Sequence, residues 1–213
     1  MAWLQSQDRI SDARHRPPDR ARPFPKDIAM SLSKTSSLAN GASAFNQPPL
    51  SVVQFDGSEQ LKRAMRHVAA TVSVVTAGTD DRTGATVTSA TALSVDPPTM
   101  IVNINRSSSS WPVIERHGHF CVNILSSDQQ DIADRFAGKG GLKGPARYEG
   151  ADWTTLVSGA PVLRDALSAI DCEVEHVIEH HTHAIIIGRV LAVTQKDAEP
   201  LLYHQGGYGQ FRT

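Results

Sequence analysis

After residue 50 the chain is dominated by short runs of alternating apolar and polar residues, and few of them carry the 3.6-residue period of a helix. Asp56 with Glu59 makes a capping-box pattern ahead of Leu61, Met65 and Val68 at helical spacing, which predicts a helix of about three turns. The β-branched run Thr71–Ala77 predicts a strand, and Asp80-Asp81-Arg82-Thr83-Gly84 supplies hairpin turn chemistry. Gly84–Pro98 predicts a single strand whose middle, at Thr86, Thr88, Ser89, Ala90 and Thr91, carries hydroxyls and methyls in place of bulk. Pro97 and Pro98 end it near Asp96, because proline donates nothing to a ladder and restricts the residue before it. A strand at Thr99–Asn105 follows, then a serine run and a short helix over Trp111–Arg116 with Pro112 in its first turn. Phe120–Leu125 predicts a strand, and Ser127–Ala137 a helix with Ile132, Ala133 and Phe136 on one face. Gly138–Pro145 is a glycine-lysine loop, and a long irregular stretch precedes two more strands, about Ala169–Glu179 and His183–Thr194. Strands joined mostly to strands predict a mainly β fold, an antiparallel barrel with peripheral helices.

Composition divides the chain in two. Residues 1–50 hold 7 Lys+Arg against 4 Asp, and 6 of the 12 prolines, so this segment is expected to be a disordered tail. Residues 51–213 form the expected domain. Met30, followed by Ser-Leu-Ser-Lys, is a candidate translation start, which would make residues 1–29 an upstream over-call. The net charge of −1, with the domain itself acidic, gives no electrostatic reason to expect nucleic acid. The absence of an 18-residue apolar run gives no reason to expect a membrane span. Cys121 and Cys172 lie in apolar, strand-like sequence without CxxC spacing, which reads as buried free thiols in a reducing cytoplasm.

Three stretches invite chemistry, each beside a plainer reading. The hydroxyl-rich strand offers backbone amides and small polar groups to the rim of a planar heterocycle, or it is an ordinary edge strand. Arg106-Ser107-Ser108-Ser109-Ser110 leads into a helix, where hydroxyls and an Arg fork suit a phosphate, or a serine simply caps the helix. His180-His181-Thr182-His183, with His176 nearby, has the residue type for zinc. It lacks an HExxH pattern and a second ligand cluster, so no metal is assigned; exposed turn histidines, or His183 aimed at a ligand, are the other readings. Nothing in the chain has the pattern of an activated nucleophile, which favours a bound cofactor as the source of chemistry.

Taken together, Gly84–Pro98, Asn105–Ser110, Phe120–Leu125 with Arg135-Phe136-Ala137, Gly159-Ala160-Pro161 and Pro200–Tyr208 resemble the short-chain flavin reductases with the FMN-binding split-barrel fold. The resemblance implies hydride transfer from NADH or NADPH to FMN or FAD. It implies a homodimer that hands reduced flavin to a separate monooxygenase component. A cobalt-corrin reductase branch of the same family, and a non-catalytic flavin electron carrier, are the alternatives. Isoalloxazine contacts would come from Thr86, Val87, Thr88 and Ser89. Asn103, Asn105, Ser108 and Ser110 would meet the ribityl-phosphate portion, with Arg135 and Phe136 close by and Tyr208 matching a C-terminal tyrosine; Arg106 is a candidate phosphate contact on the residues alone. The family commonly carries Gly-Asp-His where this chain has His181-Thr182-His183; His183 keeps the histidine, which would lie beside the nicotinamide.

Overall fold

The computed structural model describes residues 57–211. The expected tail and the Asp56 half of the capping box lie outside the described residues. In chain order the elements are α1 (Ser58–Met65), β1 (Ala70–Thr71), β2 (Ser73–Ala77), β3 (Thr83–Val87), β4 (Thr91–Val95), β5 (Pro98–Asn105) and α2 (Trp111–His117). They continue with β6 (His119–Ile124), α3 (Gln130–Phe136), β7 (Trp153–Thr155), β8 (Pro161–Leu163), β9 (Ser168–His180), β10 (His183–Gln195), β11 (Leu201–His204) and β12 (Gly207–Gln210).

Seven strands form one antiparallel sheet in the order β3-β2-β6-β9-β10-β5-β4. The two edge strands, β3 and β4, are consecutive in the chain and are joined only by Thr88, Ser89 and Ala90. Four Cα steps separate Val87 from Thr91, so these edges lie within about 14 Å of each other. The sheet must therefore curl almost into a closed barrel, leaving a split between its first and last strands. This corrects the expectation of one strand over Gly84–Asp96. Its uniform Thr/Ala composition hides the point where the chain leaves one edge and joins the other. The expected end of the strand is right: β4 stops at Val95, which pairs with Pro98 across a tight turn.

The barrel interior is filled by Val75, Val102, Ile104, Phe120, Val122, Ala184 and Ile186, and α2 adds Trp111 and Ile114. A second cluster, with Val74, Leu125, Ile132, Phe136, Tyr148, Leu163 and Leu201, lies on the outer side of β2. The five residues of β2 are accordingly buried on both faces. Two expected helices differ in detail, and a C-terminal hairpin appears that the periodicity does not announce. The helix over Ser127–Ala137 starts only at Gln130, because Ser126 to Gln129 form their own turn. There Gln129 N–H donates to the Ser126 carbonyl at 2.9 Å, and Ser126 N–H donates to Gln129 Oε1 at 3.0 Å. The β11–β12 hairpin turns through Gln205 (φ 51) and Gly206 (φ 87). It needs positive φ at both central positions, and Gln-Gly advertises this less openly than Asn-Gly. Finally, α1 is shorter than the three turns expected and ends at Met65, before Val68, and Leu61, Met65 and Val68 remain more than half exposed.

Gly188 sits on the core face of β10, where an added Cβ would lie 2.6 Å from the Phe120 ring and 3.1 Å from Cys172 Cβ. Gly188→Ala is expected to destabilise the domain by about 1–3 kcal/mol through overpacking. Gly209→Ala, with nothing within 4 Å, should shift it by less than about 0.5 kcal/mol. Urea midpoints of the two variants check the contrast.

Candidate functional site

The three residues that cross the split carry the middle of the hydroxyl-rich stretch. Thr88 is exposed, and Ser89 Oγ donates to the Asn103 carbonyl at 3.3 Å, tying the crossing to β5. Before the crossing, β3 is held from outside. Tyr148 Oη donates to the Thr83 carbonyl at 2.5 Å, and Arg147 Nη1 donates to the Gly84 carbonyl at 3.1 Å. Thr86 Oγ1 donates to the Ala133 carbonyl of α3 at 2.6 Å, so its hydroxyl anchors β3 to the helix. Val87 packs against the barrel core. Of the four expected ring contacts, Thr88 and Ser89 lie in the crossing itself, while Thr86 and Val87 belong to the β3 wall.

Asn103 and Asn105 are exposed and two apart on β5, so they share one face of the sheet. Asn105 Oδ1 accepts from Ser107 N–H at 2.9 Å and from Ser107 Oγ at 2.8 Å, and Ser108 N–H donates to the Asn105 carbonyl at 3.0 Å. These bonds wind the serine run into a tight loop. Ser110 takes the N-cap position of α2 without a side-chain capping bond, and its hydroxyl instead lies 3.5 Å from Thr83 Oγ1. The loop is thereby joined to the start of β3, as Ser89 joins the crossing to Asn103. Within this loop Ser108 Oγ is buried and has no hydrogen-bond partner. A desolvated hydroxyl without a partner is costly, and a ligand oxygen would satisfy it. This fits the phosphate expected at these serines.

Cross-strand register then sets His183 opposite Asn105, and Ile185 opposite Asn103. His183 is exposed, and its Nδ1 lies 2.9 Å from Thr182 Oγ1. Arg106 does not reach out as a free fork: its guanidinium pairs with Glu179 at 2.5 Å.

Three expected residues are engaged on the α3 side. Arg135 donates to the Glu149 carbonyl and pairs with Asp131 at 3.0 Å. Phe136 is buried, edge-on to Tyr148 at 5.0 Å, and occupies the space that a side chain at Gly84 would need. Tyr208 packs edge-on to Tyr203 at 5.4 Å, and burial together with the neighbouring Asp134 carboxylate pushes its phenol up to about 12. Sequence reasoning missed Arg147 and Tyr148, which lie in aperiodic sequence. It also missed a cavity of about 480 Å³ beside Thr88, lined by Lys62, Met65, Arg66, Val68 and Tyr203. The helical spacing of α1 was the available signal for its wall.

Other chemistries find little support. Among the described residues no group of three or more His, Cys, Asp or Glu side chains is placed to hold a metal. Burial pushes the Cys172 thiol up to about 12 and raises that of Cys121 as well, so neither provides a thiolate near neutral pH. Replacing Ser108 by Ala removes the unpartnered hydroxyl, and the ligand-free protein is expected to gain about 0.5–1.5 kcal/mol. Urea unfolding of the dialysed variant checks this.

Comparison with known proteins shows the family to which the fold belongs. A family model described as "Flavin reductase like domain" matches residues 65–212. The FMN reductase (NADH) RutF of Stutzerimonas stutzeri strain A1501 is 36% identical over 149 residues, covering 70% of this chain and 84% of that protein. HsaB, the reductase subunit of a flavin-dependent monooxygenase from Rhodococcus jostii RHA1, is 38% identical over 118 residues, covering 55% of this chain and 58% of that one. Among solved structures, the NADH:FAD oxidoreductase SgcE6 of Streptomyces globisporus C-1027 superposes with a TM-score of 0.71 at 26% identity, covering 78% of this chain and all of that chain (100%). With its split barrel, its serine loop and a family match over most of its length, the chain belongs to the flavin reductase-like family.

Proposed function

We propose that this protein is an NADH-dependent flavin reductase that supplies reduced flavin to a separate monooxygenase component. The observation that carries the reading is the direct pairing of His183 with Asn105, at the root of the loop that holds the partnerless Ser108 hydroxyl. One register position thereby joins a phosphate-binding loop to an exposed imidazole beside the split. Bound flavin supplies the acceptor for hydride from the reduced nicotinamide. The chain's own residues bind and orient. Ser108, helped by the Asn105-braced loop, would hold the phosphate, and Asn103 the ribityl portion. The backbone and hydroxyls of Thr88 and Ser89 would meet the ring edge. His183 would position the nicotinamide, and the cavity beside Thr88 leaves room for a second ring system. Holding two rings in contact is worth several powers of ten in rate, so the site needs alignment more than a general acid.

The same reading includes a homodimer. On the edge strand β4, Val95 is 87% exposed and Leu93 is more than half exposed, which supports a second copy covering this edge. Light scattering in solution should give twice the chain mass. A cytoplasmic location is supported by two buried cysteines that remain free thiols.

Dialysed protein under nitrogen should oxidise NADH, followed at 340 nm, only when FMN or FAD is added, and the better flavin identifies the substrate. No oxidation with either flavin would contradict the reading. His183→Ala should raise the KM for NADH and lower kcat, each by roughly threefold to tenfold, with flavin affinity little changed. Ser108→Ala should weaken FMN by about tenfold while leaving riboflavin, which lacks the phosphate, nearly unaffected.

A further inference from the structure

Arg106 stands at the joint between the serine loop and the β9–β10 turn. Its backbone N–H donates to the Thr182 carbonyl at 2.9 Å, and Nη1 donates to the His181 carbonyl at 3.4 Å. Nη2 pairs with the Glu179 carboxylate at 2.5 Å. One residue thus grips the turn at three places. The turn needs gripping for two reasons. His181 adopts φ 50, in the left-handed region that costs an L-residue roughly 1–2 kcal/mol. In addition, β6 pairs with β9 only as far as Glu173, so the outer half of the β9–β10 hairpin is held in the sheet through β5 alone. Immediately after the gripped residues comes His183, with Thr182 Oγ1 at 2.9 Å from its Nδ1.

The geometry points to Arg106 as the positioning residue for His183. By fixing the His181–Thr182 turn it places the Thr182 hydroxyl, and that hydroxyl sets the orientation of the imidazole. Arg106 also begins the serine loop, so the same residue links the flavin phosphate side of the site to the nicotinamide side. A planar guanidinium can bond a carboxylate and a carbonyl at once, which a lysine ammonium on a flexible stem does poorly. The inference rests on the reading of His183 as the group beside the nicotinamide, and it takes Arg106 away from the direct phosphate contact that the sequence offers.

The test compares Arg106→Ala, Arg106→Lys, Glu179→Gln, His183→Ala and the Arg106→Ala/His183→Ala double variant. NADH steady-state kinetics and the affinities for FMN and riboflavin are measured for each. Arg106→Ala is expected to reproduce the His183→Ala defect, with KM for NADH up by about tenfold and the FMN-to-riboflavin affinity ratio unchanged. Arg106→Lys should fall between it and the wild type. Glu179→Gln should shift KM in the same direction, although a carboxylate has no reason to contact a phosphate. The double variant should be no worse than His183→Ala, because nothing is left to position. A collapsed FMN-to-riboflavin ratio with intact NADH kinetics would make Arg106 a phosphate ligand and overturn the inference. Additive losses in the double variant would overturn it as well. A defective His183→Ala beside an unaffected Arg106→Ala would sink this inference alone, whereas wild-type NADH kinetics in His183→Ala would remove the reading of His183 and the inference with it.

Discussion

Three residues decide the shape of this domain. Thr88, Ser89 and Ala90 must carry the chain from one edge of a seven-stranded sheet to the other, and their short reach obliges the sheet to curl until those edges nearly meet. A flat or open sheet of the same strand order is unreachable with that connection. Closure buries the interior cluster around Phe120, Val102 and Ile186, and the incomplete meeting of the edges leaves a split whose rim is backbone and small polar groups. The crossing is tied to β5 through the Ser89 hydroxyl, which donates to the Asn103 carbonyl.

Around that split, polar groups are arranged with one conspicuous exception. Thr86 is spent on α3, Ser107 on Asn105, and Arg106 on Glu179 and the following turn. Only the Ser108 hydroxyl, among the serines of the loop, is both buried and unpartnered. Such a group costs stability in the ligand-free protein, and a hydrogen-bonding ligand atom would return it. The histidine opposite Asn105 is then brought beside this loop by register.

Much of this was legible in the sequence. Local periodicity locates β5, α2, β6, β9 and β10 within a few residues, because each has a buried face along at least part of its length, and β2 is located by its β-branched run, which is buried on both faces. The pairing of Asn105 with His183 is not visible there, since register depends on which strand lies beside which. The division of Gly84–Asp96 into β3 and β4 is hidden for a related reason: Thr-Ser-Ala reads equally well as strand or as crossing. The contacts that Arg135, Phe136 and Arg106 make within the chain are not visible in a motif, which gives a residue's position in a pattern without its direction. Phe136 faces the aromatic group of Tyr148 and Trp153, and no periodicity in that aperiodic stretch announces such a cluster. The α1 stripe shows the converse: Leu61, Met65 and Val68 announce an apolar face, and the described residues leave it more than half exposed.

The central claim is that flavin occupies the split, against the Thr88–Ala90 crossing and the serine loop. Hydrogen exchange followed by mass spectrometry, on the protein with and without FMN, tests this most directly. Slowed exchange confined to peptides covering residues 86–90 and 105–111 is the predicted result. Protection concentrated elsewhere, for example along α1 and β11 with those two segments unchanged, would contradict the account.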